Sequence, residues 1–287
     1  MKRMRWIGVL LVLVASASVG GRSARAGVVY VSTLDGYGRP YAFESVDTST
    51  GAVTVISTST PGLIGLQFVG GQLYGEGYNS GELYRIDPTT GGTTDLGTIS
   101  PYGAGAGGSC YVGGPSGSTY LFDGDTNSVY TLTPPSPSTT LTNLPVFGGD
   151  AGYGGYAFGL DGRIYGLIPA GNNLPETLRI LDPTTGQLTA GVALSQNFGD
   201  YSRIFFDGST LDLINQNGLY TINTTTGLVT QDFQFPSNIG SVFAAVEMSS
   251  SAVPEPTGLA MLGAGMVVGY RYLRRRRPES VNVHEGM

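Results

Sequence analysis

Residues 82–97, ELYRIDPTTGGTTDLG, carry the pattern that decides the fold. Apolar and polar residues alternate up to Ile86, as in a half-buried strand, and a second strand-like run follows the segment Asp-Pro-Thr-Thr-Gly. That segment suits a tight turn, because the Asp87 carboxylate accepts backbone N–H groups, Pro88 fixes φ and Gly91 supplies a positive φ. The stretch therefore predicts an antiparallel β-hairpin.

The same hairpin pattern recurs along the chain. Clear copies lie at 41–57, 177–192 and 218–233, and a degenerate copy with a Pro-rich turn lies at 128–144. When the degenerate copy is counted, the turn glycines recur about every 44 residues, a spacing typical of repeat proteins. Asn223 replaces the turn Asp in the last copy, which favours a turn role for these side chains over metal binding.

A second pair of strand-like runs precedes four of the hairpins. In the last pair, Asp-Gly forms the connecting turn. Four strands in each repeat of this length predict the blade of a β-propeller. The pairs occupy residues 64–77, 108–122, 154–168 and 202–214.

The first repeat is incomplete, since residues 28–57 supply only three strands. The last β-like run before the C-terminal tail is SVFAAVEM, residues 241–248. We expect it to form the innermost strand of the first blade, which closes the ring and removes exposed edges. The predicted fold is all-β, a propeller of about five four-stranded blades in residues 27–250. A β-sandwich or a β-solenoid with a similar number of strands is the alternative.

The composition disfavours several functions. Between residues 27 and 252 there are 5 Arg, no Lys and 18 acidic residues, and such a domain does not suit a nucleic-acid partner. The only histidine, His284, lies in the tail, and Cys110 is the only cysteine, so an intramolecular disulfide is excluded. No cofactor motif and no catalytic motif is present, and we expect a protein without a cofactor that is not an enzyme.

The N-terminus has the pattern of a secretory signal peptide. Three basic residues precede an apolar run at 6–19, which is short for a membrane span. Ala24 and Ala26 then form an A-x-A cleavage site directly before Gly27. We therefore expect export of the protein and removal of residues 1–26.

The C-terminal segment, residues 251–277, combines an extended motif, a short helix at 257–273 and an arginine cluster, and a tail at 278–287 follows. A helix of that length just reaches across the hydrocarbon core of a bilayer. The arginines would be retained on the cytoplasmic side, with the preceding domain outside. The motif is Val253, Pro254, Glu255 and Pro256, and the cluster is Arg274, Arg275, Arg276 and Arg277.

This order of motif, transmembrane helix and arginine cluster resembles the PEP-CTERM sorting signal of exported bacterial proteins. The resemblance implies recognition by exosortase, a membrane-embedded cysteine transpeptidase, and processing at the Pro-Glu-Pro end. It also implies an inner-membrane intermediate and then placement at the cell surface or in the extracellular matrix, with polysaccharide or biofilm as the expected association. The tail at 278–287 departs from the usual signal, which stops soon after the basic cluster.

Two weak site patterns lie within the predicted propeller. Asp123, Asp125 and Asn127 have the spacing of a calcium loop, but Ser128 stands where the turn glycine belongs, and a plain hairpin turn is the favoured interpretation. The loop at 74–81, YGEGYNSG, mixes Tyr, Asn and Glu. That composition suits stacking on sugars as well as packing between blades.

Two functional hypotheses follow. The first is a non-enzymatic binding or structural protein that contacts extracellular polysaccharide. The second is a polysaccharide hydrolase or lyase that uses carboxylates on one face of the ring. At least two buried carboxylates and an Arg at the central funnel would favour the enzyme, whereas a funnel lined by Gly, Thr and Tyr would favour binding.

Overall fold

A computed structural model of the chain describes most of the predicted propeller. The predicted signal peptide, the sorting motif with its helix and arginine cluster, and residues 278–287 lie outside the described part. Within the described part, no helix is both long and apolar enough to cross a membrane. The described residues are 27–34, 41–78, 80–100, 109–113, 117, 119–123, 128–147, 155–168, 175–199, 201–235 and 239–248.

These residues form five antiparallel sheets, and four of the sheets are built from strands that are consecutive in the chain. The first contains β1 (Val28–Leu34), β2 (Tyr41–Asp47) and β3 (Val53–Ser57). The second contains β4 (Leu63–Val69), β5 (Gln72–Gly77), β6 (Glu82–Ile86) and β7 (Thr93–Thr98). The third contains β8 (Ser109–Gly113), β9 (Thr119–Asp123), β10 (Ser128–Leu132) and β11 (Thr139–Leu141). The fourth contains β12 (Tyr156–Phe158), β13 (Ile164–Ile168), β14 (Thr177–Asp182), β15 (Gln187–Leu188) and β16 (Val192–Ala193). The fifth contains β17 (Arg203–Asp207), β18 (Thr210–Asn215), β19 (Gly218–Ile222) and β20 (Val229–Gln234), and β21 (Ser241–Glu247) returns to the first sheet.

Strand β21 completes the first blade, which confirms the predicted ring closure. It pairs antiparallel with β1, from Val29 opposite Glu247 to Leu34 opposite Ser241, and the strand order is β21-β1-β2-β3. The innermost strands of neighbouring blades contact one another in the cycle β21, β4, β8, β12, β17 and back to β21. The fold is therefore a five-bladed β-propeller, and the sandwich and solenoid alternatives are excluded.

Apolar side chains fill the space between neighbouring blades. Ala244 and Val246 of β21 pack with Phe43 and Leu63 between the first and second blades. On the other side of the same strand, Val242 belongs to a cluster shared with the fifth blade. Because β21 is buried from both sides, hydrophobic contacts as well as ladder hydrogen bonds hold the ring closed.

The Asp-Pro-Thr-Thr-Gly segments form the turns that the sequence predicts. Asp87 accepts the backbone N–H of Thr89 at 2.8 Å, and this hydrogen bond holds the pKa of Asp87 below its usual value. Gly91 has a φ of +69°. In the last copy, Asn223 accepts the backbone N–H groups two and three positions later, each at 3.0 Å. Asp and Asn thus serve as equivalent acceptors in the turn.

The outer strand of the fourth blade differs from the prediction. The sequence predicts one strand after the turn at Gly186, but two short strands, β15 and β16, both pair with β14. Gly191 lies between them with a φ of +91°. This left-handed backbone, which glycine adopts without steric cost, interrupts the strand.

Candidate functional site

Four aromatic residues from three blades meet on one face of the ring. We call the face where the innermost strands begin the upper face, and the face where they end the lower face. Phe243 near the start of β21 lies in the middle of the group. Its ring centroid is 6.3 Å from that of Tyr41, 5.3 Å from that of Tyr78 and 5.4 Å from that of Tyr201. We call these four residues the aromatic cluster.

A β-bulge in β21 positions Phe243. Thr33 lies opposite Val242 and Ser32 lies opposite Ala244, so Phe243 has no partner in β1. An unpaired residue at a bulge bends its strand and redirects the side chain, and bulges are frequent beside functional sites. The bulge thus explains how a residue of a closing strand contacts rings from the first, second and fifth blades.

Arg203 fixes the backbone of this bulge. The side chain is buried, with 6% of its surface exposed. Its Nε donates to the Phe243 carbonyl oxygen at 2.7 Å, and its Nη1 donates to the Ser202 carbonyl oxygen at 2.8 Å. Hydrogen bonds from a guanidinium are stronger than neutral ones. Arg203 therefore ties the first residues of β17 to the start of β21 beneath the aromatic cluster.

Glu176 positions the segment that leads to Tyr201. Its side chain is fully buried, and its Oε1 accepts the backbone N–H groups of Phe198 at 2.9 Å and Gly199 at 2.7 Å. Its own backbone N–H donates to the side-chain oxygen of Asn197 at 2.9 Å. These bonds order the chain two residues before Tyr201, whose side chain is 47% exposed.

Tyr41 and Tyr78 approach each other across the boundary between the first and second blades. The two ring centroids are 6.2 Å apart in an edge-on arrangement. The backbone N–H of Tyr78 donates to the Gly62 carbonyl at 2.7 Å, and a Cβ on Gly62 would lie only 2.5 Å from the Tyr41 ring. Burial, and then the neighbouring Tyr78, raise the pKa of the Tyr41 hydroxyl. The Tyr41 hydroxyl is therefore a hydrogen-bonding group that stays neutral at physiological pH.

A polar group borders the cluster next to Tyr78. The Tyr84 hydroxyl donates to Glu82 Oε2 at 2.6 Å. This hydrogen bond is the main cause that lowers the pKa of Glu82, whereas burial first and the Glu82 carboxylate second raise the pKa of Tyr84 to about 12. Glu82 is thus an ionised acceptor at the rim, and it fits hydroxyl groups of a ligand.

The loop at 74–81 is divided between packing and surface. Tyr74 is buried with Leu83 and Leu121 between blades, whereas Tyr78 belongs to the aromatic cluster. The composition of the loop thus pointed to one residue of the candidate site. Tyr201 and Phe243 were missed, because their proximity depends on ring closure and on the bulge.

Of the three residues in the calcium pattern, Asp123 lies within the described part of the chain. Asp123 lies at the end of β9, opposite Ser109 and Ser128, and is 3% exposed. Asp125 and Asn127 lie outside the described residues. Among the residues that the structure describes, no group of three or more His, Cys, Asp or Glu side chains is placed to hold a metal ion.

The features expected of an enzyme are present in part. Glu44 and Glu76 are buried carboxylates and Arg203 is a buried cation. Glu76 lies on β5, the second strand of its blade, and Glu44 lies on β2, the third strand of its blade. Both carboxylates therefore belong to strands behind those that surround the centre, and only Arg203 belongs to an innermost strand.

Comparison with known proteins supports a repeat architecture. A family profile described as a repeat of unknown function, DUF6923, matches residues 12–148, just under half of the chain. No curated protein matches.

Two solved structures illustrate the structural similarity. One, titled "Crystal structure of Nidogen/Laminin Complex", has 10% sequence identity and a TM-score of 0.52, and the match covers 78% of this chain and 98% of that one. TolB from Acinetobacter baumannii has 13% identity and a TM-score of 0.49, and the match covers 77% of this chain and 56% of TolB. At 10% identity, the similarity to the nidogen/laminin structure extends to the fold alone.

Proposed function

We propose that this chain is an exported, non-enzymatic propeller that binds extracellular polysaccharide through the aromatic cluster. The observation that carries the proposal is the meeting of three tyrosines and Phe243 on the upper face. Aromatic rings offer flat apolar area, and Tyr adds a polar hydroxyl at its edge. The C–H face of a sugar ring and its hydroxyl groups match those two properties.

The support beneath the cluster strengthens this proposal. Arg203 fixes the Phe243 backbone and Glu176 fixes the approach to Tyr201, so the rings are held before any ligand arrives. A preorganised site loses less conformational freedom on binding. Exposed Tyr201 next to buried Phe243 also gives a surface with an apolar centre and a wetter edge, the usual anatomy of a recognition site.

Binding to a glycan array tests the proposed site. We expect the full chain to bind at least one polysaccharide class, and Tyr78→Ala and Tyr201→Ala each to weaken binding about tenfold, because each removes one stacking ring. Leu160→Ala is the matched control. Leu160 is 84% exposed in the β12–β13 turn on the lower face, so this variant should bind normally.

Two outcomes would contradict the proposed site. Absence of glycan binding by the folded chain is one, and unchanged binding by both tyrosine variants is the other. Release of new reducing ends from a bound glycan would favour the hydrolase, and release of unsaturated products would favour the lyase. In either case Glu76→Gln and Glu44→Gln would be the first variants to assay.

The sorting part of the proposal rests on the C-terminal resemblance. We propose that an exosortase-like transpeptidase recognises Val253–Pro256 while the helix and the arginine cluster hold the precursor in the inner membrane. Mass spectrometry of the protein from its native cell surface is expected to find a mature C-terminus near Pro256. An intact Arg274–Arg277 cluster in the surface protein would overturn sorting and leave the binding site untouched.

A further inference from the structure

A carboxyl pair lies where the closing strand ends on the lower face. Glu247 is the last residue of β21, and its carboxyl group is hydrogen bonded to Asp207 at the end of β17. It also accepts the backbone N–H of Gly208, and Asp212 on β18 acts on it through its charge. The fifth blade therefore presents two acidic groups to the end of the strand that closes the ring.

The first described residue packs against this pair from the other side. The Gly27 N–H donates to Thr48 Oγ1 at 3.2 Å, and its carbonyl accepts the Thr48 N–H at 3.1 Å. A Cβ on Gly27 would lie 2.6 Å from Glu247 Oε1. Standard covalent geometry then puts the Gly27 nitrogen within about 5 Å of that oxygen. Neither Gly27 nor Thr48 brings a charge to the pair in the uncleaved chain.

The ionised form of Glu247 is electrostatically unfavourable in the uncleaved chain. Burial first, and then the charge of Asp207, raise its pKa to about 8. The groups that act on its pKa are Asp207, Asp212 and the backbone N–H of Gly208, and none of these three is a cation. A cation at the position of the Gly27 nitrogen would favour ionised Glu247, because an opposite charge within about 4–6 Å lowers the pKa of a carboxyl group.

We propose that removal of residues 1–26 creates this cation: the new α-ammonium group of Gly27 pairs with Glu247 and Asp207 and fastens β21 to β1 in the mature domain. The inference rests on the export step of the proposed function. Water adds across the Ala26–Gly27 peptide bond and yields the Ala26 carboxylate and the Gly27 ammonium. Glu247 then releases its proton to solvent and becomes the partner of the new charge.

The ion pair between Gly27 and Glu247 links the stability of the ring to removal of the leader. Before cleavage, the end of β21 is held by a protonated carboxyl group, and after cleavage it is held by an ion pair at the same place. The ring is therefore most stable only after the leader has been removed. Maturation at the N-terminus would stabilise a strand that lies more than two hundred residues later in the chain.

The experiment uses the full chain in detergent, with a specific protease site inserted between Ala26 and Gly27 so that cleavage leaves Gly27 first. At pH 6.5 we expect cleavage to raise the thermal unfolding midpoint by about 2–4 °C, a typical response of a domain of this size to one added interaction. In Glu247→Gln the rise should be absent. A matched chain that keeps one extra Gly before Gly27 should also show no rise, because its amino group is displaced by about 3.8 Å.

The pH dependence provides a second readout. An α-amino group has an ordinary pKa of about 8, and pairing raises it in the folded state. The stabilisation should therefore be present just below about pH 8, where pairing keeps Glu247 ionised, and be lost as the pH rises through the raised pKa of the amino group. We expect the cleavage-dependent gain at pH 6.5 to disappear at pH 10.5.

An equal gain in the chain with the extra Gly, or no gain on cleavage, would overturn the proposal. If Glu247→Gln fails to fold, the chain with the extra Gly still tests whether the position of the amino group determines the gain in stability. N-terminal sequencing of the exported protein tests the cellular step separately. A mature chain that starts elsewhere than Gly27 would overturn the proposal for the cell and leave the polysaccharide site unaffected.

Discussion

A chain that stops at Gly240 is expected to lose its cooperative unfolding transition, whereas a chain that stops at Ser250 keeps it. The shorter chain lacks β21, which supplies the innermost strand of the first blade and packs against the second and fifth. Val242 and Val246 are 0% and 8% exposed. Burying a Val side chain contributes about 1.5–3 kcal/mol, and the whole domain has only about 5–15 kcal/mol of net stability. The two truncated chains can be compared by calorimetry and near-ultraviolet circular dichroism.

A pair of point variants separates the role of β21 from the effect of truncation. Val242→Asp puts a carboxylate into the space between blades and should cost about 4 kcal/mol or more. The neighbouring Ser241→Asp replaces a partly exposed residue and should cost less than about 1 kcal/mol.

A native-like melting transition in the chain that stops at Gly240 would show that the ring does not need its closing strand.

Arg203→Met is expected to destabilise the fold by about 3–4 kcal/mol. The variant keeps much of the apolar volume but leaves the Phe243 and Ser202 carbonyl oxygens without their guanidinium donor, at a cost of about 1–3 kcal/mol for each buried acceptor. Urea unfolding monitored by fluorescence or circular dichroism measures the loss. Because the bulge at Phe243 is then released, glycan binding should fall as well.

Arg163→Met is the matched control for this prediction. Arg163 is exposed in the β12–β13 connection on the lower face, and its replacement should change the free energy of unfolding by less than about 0.5 kcal/mol. Equal losses for the two arginines would mean that the net charge of the acidic domain matters more than the hydrogen bonds at the bulge. A loss of stability without loss of glycan binding would show that Arg203 stabilises the fold but does not position the aromatic cluster for binding.

Much of the fold could be predicted because its information is local. The turn at Asp87 and Gly91 uses side chains and φ values that are encoded within five residues, and the same turn chemistry recurs in other repeats. The first repeat has one strand fewer than the others in the sequence, and residues 241–248 supply the missing strand. The broken outer strand at Gly191 was missed, since a single glycine in an alternating run is compatible with an unbroken strand as well as with a left-handed kink.

Of the four residues in the aromatic cluster, only Tyr78 could be predicted from the sequence. The contribution of Phe243 depends on a register shift between β21 and β1, which lie at opposite ends of the domain sequence. Tyr201 depends on the buried Glu176 that orders the preceding segment. Such features arise from pairing and packing between distant segments, so they cannot be predicted from the periodicity of a single segment.

The adjacency of the two ends of the propeller fixes how the domain would stand on a membrane. The Met248 N–H donates to the Val28 carbonyl at 3.0 Å, so the chain enters and leaves the ring at the same point of the lower face. An anchor at either end would therefore attach to the same side of the disc. Seven-residue strands such as β1 raise the opposite side by roughly 23 Å. In this orientation the aromatic cluster lies on the face opposite the anchored side.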